Sequence, residues 1–189
     1  MVILIANDFT LPISGFCWND APNGRLDPDR LALLVTKRTR AIIVNTPNNP
    51  TGHTIPRDAL RRVITAAPQA TIVVDEAYVE FDPQGSVLDE MQQHANVIVG
   101  RTFSKAYGLA GMRIGVLIGH PERLEPIRAV TPVFNMNTVA MTALHAAMAD
   151  TDFLPRYVAE VERSRALLYA ACERLGVVYW HSAANFVLI

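Results

Sequence analysis

Four short apolar runs, at 41–45, 71–74, 97–99 and 114–118, alternate with longer stretches of helical character through much of the chain. A run this short between turn formers cannot make a helix of its own and suits a strand buried on both faces. The stretches between the runs carry helix signals. Asp27 is placed to cap a helix over 28–37, opened by Pro28 and with Leu31, Leu34 and Val35 on one face. Pro56 opens another over 56–66, where Leu60, Val63 and Ile64 share a face. Helices are also expected at 87–93, 121–130 and 137–149. A long one over 152–175 tolerates Pro155 in its first turn and ends at Gly176. Strands are expected at 177–180, at 186–189 and at 2–6, the last ahead of a loop over 9–25 rich in Pro, Gly and Asn. Strands alternating with helices specify an α/β sandwich, a mainly parallel sheet between layers of helix.

Composition narrows the function classes. The 189 residues suffice for one good-sized domain, and with 50% of them hydrophobic and 19% charged the chain is globular. A net charge of -1 and the lack of a basic face argue against nucleic acid as a partner. Cys17 and Cys172 fit no metal or redox spacing, and His53, His94, His120, His145 and His181 show no ligand spacing. No metal site is expected, and a reduced, cytoplasmic compartment is the default. The apolar opening MVILIA is only six residues long and lacks a basic lead and a small-residue cleavage site. It reads as neither a signal peptide nor a membrane span.

In open α/β sheets, ligands bind beyond the carboxyl ends of the strands, and the chemistry-bearing residues of this chain gather there. Asn49 lies in the loop TPNNPTG after the first run. Asp75 ends the second, and Tyr78 follows it. Lys105 lies beyond the third, near Thr102 and next to Ser104, with Arg113 further along among glycines. Taken singly, each has a plain reading. Asn49 is a turn former, Asp75 a helix cap, Tyr78 a packing residue, Lys105 a solvated charge and Arg113 half of a surface ion pair. Taken together, they supply each group that pyridoxal phosphate needs. These are an amine for its aldehyde, an acid for its pyridine nitrogen, donors for its ring oxygen and a cation for its phosphate. Glu76 reads as structural. Gly108, Gly111 and Gly115 read either as tight turns around the site or as plain loop geometry. Asn137 suits a helix cap as well as it suits, with Asn135, the substrate side.

The motifs NTPNNPTG (45–52), VVDEAYVEF (73–81) and RTFSKAYGLAGMRIG (101–115) carry a resemblance, with weaker support from FNMNTVA (134–140) and SAANFVLI (182–189). From Leu26 to Ile189 the chain resembles the fold-type I pyridoxal-phosphate aminotransferases of class I/II, and among them the histidinol-phosphate aminotransferases. The resemblance implies the large domain of that fold and pyridoxal 5'-phosphate as cofactor. It implies transamination between an amino donor, histidinol phosphate, and 2-oxoglutarate in histidine biosynthesis. Lys105 is then the catalytic residue, which holds the cofactor covalently and moves a proton between Cα and C4′. Asp75 faces the pyridine nitrogen, Asn49 and Tyr78 the ring oxygen, and Arg113, with Thr102 and Ser104, the phosphate. A threonine-phosphate decarboxylase and a chain without catalysis are the alternatives.

The resemblance also implies a division of the chain. Residues 1–25 are unplaced, 26–150 form part of the cofactor-binding large domain, and 151–189 form a long connecting helix and the start of a small C-terminal domain. Family members are about twice as long and homodimeric, and the chain stops inside a strand pattern. It is therefore expected to be incomplete at both ends. A phosphate-binding loop, a ring-stacking aromatic and a substrate-clamping arginine of the family find no match.

Overall fold

The structure, a computed structural model, describes residues 2–3, 28–82 and 84–189. Five strands form one sheet: β1 (Val2–Ile3), β2 (Ala41–Asn45), β3 (Thr71–Asp75), β4 (Val97–Thr102) and β5 (Gly115–Gly119), in the order β1-β5-β4-β3-β2. β2, β3 and β4 are parallel, while β5 runs antiparallel to both β4 and β1. All the described strands except β5 thus point the same way, as expected of a mainly parallel sheet. The helices are α1 (Pro28–Leu34), α2 (Arg57–Ala66), α3 (Leu88–Gln93), α4 (Pro121–Val130), α5 (Thr138–Ala149) and α6 (Phe153–Leu175). The remainder of the strand expected at 2–6, the loop at 9–25 and the Asp27 cap lie outside the described residues.

Strand alternation decides which helix covers which face. Ile42, Val44, Ile72, Val74, Val97 and Val99 join Leu60, Val63 and Ile64 of α2 in the main core, with Leu31 of α1, Val35 just beyond it, and Leu88 and Met91 of α3 at its border. Ile98, one step out of phase with Val97, packs instead with Leu124 and Ile127 of α4 and with Leu117. Helices therefore lie on both faces. α6 docks against a smaller cluster around Tyr78, Phe81, Ala106 and Ala184 through Leu154, Tyr157, Val158 and Val161. Among the described residues no helix is long and apolar enough to cross a membrane.

Three expectations are corrected. β2 is not buried on both faces: it is the edge strand, Ala41 is exposed and Ile43 is 53% exposed. α1 ends at Leu34, which itself points outward, so Leu31 packs on the core from the helix and Val35 from just beyond it. The segments 177–180 and 186–189 form no strands. One bond, Trp180 N–H to the Leu188 carbonyl at 3.0 Å, links them, while the intervening polar groups bond to α6 and to the loop after β2. Backbone groups satisfied by tertiary partners are not available to a ladder.

Leu60 has no exposed surface. Leu60→Ala should cost about 2–5 kcal/mol of unfolding free energy, read from the urea midpoint at unchanged m-value.

Candidate functional site

The parallel register sets Asn45 opposite Asp75 and Asp75 opposite Gly100, so β2, β3 and β4 end in line. The ladder continues one step past the ends: Thr46 N–H donates to the Asp75 carbonyl at 3.0 Å and Glu76 N–H to the Gly100 carbonyl at 2.8 Å. Because β5 is antiparallel and Gly115 lies opposite Thr102, the start of β5 returns to this same edge and brings Arg113 with it. The loops carrying Asn49, Tyr78, Lys105 and Arg113 thus leave the sheet at one edge.

After β2, buried Asn48 shapes the loop. Its amide oxygen accepts from the Thr51 hydroxyl at 2.8 Å and from Thr51 N–H at 3.2 Å, and its NH2 donates to the Asn45 side chain at 2.8 Å. Asn49 is left exposed, and its NH2 donates to the Tyr78 phenol oxygen at 2.9 Å. Gly52 closes the loop at φ +72°, and a Cβ there would stand 2.8 Å from Ser182 Cα and closer still to the Ser182 side chain. Glycine is required at this position on both counts.

Tyr78 is 6% exposed, held in the small core by its ring while its hydroxyl meets Asn49. Lys105 Nζ lies 5.2 Å from the centre of that ring, within cation–π reach. Lys105 itself is exposed, but the adjacent Ala106 is fully buried and anchors the turn. Phe103 N–H to the Ile114 carbonyl, Gly108 N–H to the Lys105 carbonyl and Leu109 N–H to the Phe103 carbonyl complete it at 3.0–3.1 Å. Asp75 is half-buried. Its Oδ1 accepts from Ala77 N–H at 3.0 Å, and burial pushes its carboxyl above the ordinary carboxylate range against the pull of that bond and of the Lys105 charge. Asn49, Tyr78 and Lys105 therefore form one contact chain, and Asp75 is near enough to feel the Lys105 charge.

The phosphate candidates are less tightly joined. The Thr102 hydroxyl is engaged within its own turn, accepting from Ser104 N–H at 3.1 Å and donating to the Ile114 carbonyl at 3.3 Å. Arg113 is exposed and donates to the Ala110 carbonyl at 3.1 Å. It is the one non-glycine residue at positive φ among those described, at φ 57° and ψ 49°. That backbone costs about 1–2 kcal/mol for a residue with a Cβ. Gly108, at φ +67°, serves a tight turn, whereas Gly111 and Gly115 are not at positive φ. Asn137 caps α5, accepting from Ala140 N–H at 2.7 Å.

Glu76 is structural, as its sequence context suggests. Buried at 1% exposure, it accepts from Arg101 Nε at 2.9 Å, from the Ser86 hydroxyl at 2.8 Å and from Val87 N–H at 2.5 Å. Two further features escaped the sequence reading. Glu80 is half-buried with one oxygen that makes no hydrogen bond among the described residues, and burial raises its carboxyl. Phe186, in the weak motif at 182–189, sets its ring edge on Tyr78 at 5.2 Å. An aromatic near one chain end carries no local signal of such a contact.

The signature of the family described as Aminotransferase class I and II matches residues 1–189. Histidinol-phosphate aminotransferase 1 of Cupriavidus pinatubonensis is 41% identical over 168 residues, which cover 86% of this chain and 44% of that protein. The crystal structure of histidinol-phosphate aminotransferase from Sinorhizobium meliloti in complex with pyridoxal-5'-phosphate superposes with a TM-score of 0.81 at 31% identity, covering 88% of this chain and 46% of that one. L-threonine-O-3-phosphate decarboxylase from Porphyromonas gingivalis shares the fold, with a TM-score of 0.70 at 23% identity over 78% of this chain and 46% of that one. The chain spans about half the length of the curated relatives it matches.

Two outcomes test the local architecture. Gly52→Ala forces a side chain into the left-handed region and against Ser182, and should cost more than about 1 kcal/mol in urea unfolding. Burial raises the Asp75 carboxyl, so the folded chain holds that proton to higher pH than the unfolded chain does. The stability Asp75 contributes is then complete below its unfolded pKa and is lost as pH rises through the folded value. Asp75→Asn removes this slope, and its melting temperature should gain on wild type as pH rises above the unfolded carboxylate range.

Proposed function

The chain belongs to the class I and II aminotransferases, and on that premise we propose that Lys105 is the covalent lysine of a pyridoxal 5'-phosphate-dependent enzyme. Its amino donor is histidinol phosphate and its acceptor 2-oxoglutarate, a step of histidine biosynthesis. The observation that carries the reading is the Lys105 amine 5.2 Å from the ring of Tyr78, whose hydroxyl meets Asn49, at the edge where Asp75 also emerges.

The donor set fits the cofactor group by group. When bound, the cofactor supplies an electron sink that weakens the Cα–H bond of an amine. Lys105 Nζ would hold the cofactor covalently and, when free, would move a proton between Cα and C4′. Asp75 would face the pyridine nitrogen and favour its protonated form. A carboxyl whose charged form is penalised by burial gains most from a cation placed directly against it. Asn49 donates into the Tyr78 oxygen, which polarises the phenol and leaves its O–H to donate outward to the ring oxygen. Arg113 supplies the planar donor pair for phosphate, with Ser104 and Thr102 beside it. Its left-handed backbone supports this role, since strained residues cluster at ligand sites.

We extend the proposal to the layout. Residues 26–150 are the cofactor-binding part, and α6 leads from it into 151–189 as the connecting helix, with 1–25 unassigned. The protein works as a homodimer on this reading, for which Val130 (82% exposed), Val133 (88%) and Phe134 (96%) offer an apolar edge. Transamination is favoured over decarboxylation of threonine phosphate because the aminotransferase resemblance extends to sequence, whereas the decarboxylase shares the fold alone.

Adding the cofactor to the chain should produce a visible absorbance band that Lys105→Ala abolishes. Histidinol phosphate should bleach the band and 2-oxoglutarate restore it. A band that survives Lys105→Ala would refute the lysine assignment, and carbon dioxide released from threonine phosphate would refute transamination.

A further inference from the structure

Resting on the reading of Tyr78 and Asn49 as donors to the cofactor ring oxygen, we infer that Arg165, on α6, is a positioning residue for that pair. It acts through the segment 182–186 as a strap. The main-chain groups of Ser182, Ala183 and Ala184 are held by α6, by the loop after β2 and by the strap itself. Arg165 donates to the Ser182 carbonyl at 2.5 Å and to the Ala184 carbonyl at 2.9 Å. Tyr169, one turn further along α6 on the same side, donates nothing here but accepts from Ser182 N–H at 2.9 Å. Ala184 N–H closes a small turn onto the Ser182 hydroxyl at 3.0 Å, and Ala183 N–H donates to the Gly52 carbonyl at 2.8 Å.

The strap in turn touches both members of the donor pair. Ser182 lies so close to Gly52 that a Cβ there has no room, which fixes the end of the loop that presents Asn49. Two residues beyond Ala184, Phe186 sets its ring edge on Tyr78, with ring planes at 82°. Ala184 itself is fully buried in the cluster that holds Tyr78. One guanidinium thus satisfies two carbonyls of a segment without ladder bonds of its own. Without that group, the Ala184 carbonyl would lose its donor in a buried setting, and the strap would move to regain one. Motion of the strap releases both the Tyr78 ring and the Asn49 loop, so Arg165 governs the donor geometry without itself reaching the cofactor.

The test uses the whole chain and Arg165→Met, which keeps an unbranched apolar stem and removes the donors, with circular dichroism and melting to establish folding. In the absence of cofactor, an NMR contact between the Tyr78 and Phe186 rings is expected in wild type and lost in Arg165→Met. In its presence, the pH midpoint of the visible band should shift upward, in the same direction as in Tyr78→Phe, because a donor withdrawn from the ring oxygen leaves that oxygen free to hold the neighbouring proton. In the Tyr78→Phe background Arg165→Met should add a smaller shift, because only Asn49 is then left to be displaced. A retained ring contact in folded Arg165→Met, or an undiminished shift in the Tyr78→Phe background, overturns the inference. Should Arg165→Met fail to fold, Tyr169→Phe, which removes the other hold on the strap, is read by the same two measurements and the same criteria. A wild type that gives no visible band refutes the cofactor reading, and the ring contact then decides the role of Arg165 alone.

Discussion

The site depends first on the in-register parallel pairing of β2, β3 and β4. Residues 45, 75 and 100 come from segments separated by helices, yet the ladder sets them side by side. Parallel strands need a crossover between them, and here the crossovers are α2 and α3, whose apolar faces fill one side of the sheet. The helices that bury the core are thus also the spacers that deliver Asn49, Tyr78 and Lys105 to a common edge. A slip of one residue would turn Val74 outward and Asp75 into the apolar layer, so core packing and site geometry enforce the same register.

Two consecutive acids show how position on the strand end separates chemistry from architecture. Glu76 is fully enclosed, and Arg101, Ser86 and Val87 N–H satisfy its oxygens, which ties the turn after β3 to β4 and to the start of α3. A buried carboxylate with its partners in place is a brace with no capacity left for a ligand. Asp75, one residue earlier, is only half-buried and spends one oxygen on Ala77 N–H. Its raised carboxyl reflects charge that the protein has left partly uncompensated, and that is a common property of ligand sites.

Much of this was legible in the sequence because the signals were local. Pro121 marked the start of α4, Gly176 took the left-handed conformation that ends α6, and Asp75, Tyr78 and Lys105 were read from motifs at strand ends. What the sequence hid was set by tertiary context. Ile43 reads as a core residue, yet β2 lies at the edge of the sheet and leaves it exposed. The antiparallel course of β5 has no residue signature, although it alone explains how Arg113 returns to the edge. Residues 177–189 have strand composition, but their polar groups are drawn off by Arg165, Tyr169 and Gly52, partners far away in sequence or invisible as donors and acceptors until the fold is known.

On the proposed reading, the donor pair of Asn49 and Tyr78 faces two opposing demands. Tyr78 must be buried to hold its ring at a fixed angle, yet its hydroxyl must stay open to accept from Asn49 and donate outward. Burial is met from one side by Phe81, Ala106 and the face of α6, and openness by the exposed loop that carries Asn49. A loop with Asn49 exposed has little packing of its own to fix it, so its precision must come from elsewhere. Asn48 stiffens it internally, and the Ala183–Gly52 bond anchors its far end to the strap. Because the same strap also presses Phe186 onto Tyr78, any displacement of α6 along its axis reaches both donors together. The ring oxygen of a bound cofactor would therefore experience one mechanical unit, with its geometry set from the helix side of the fold.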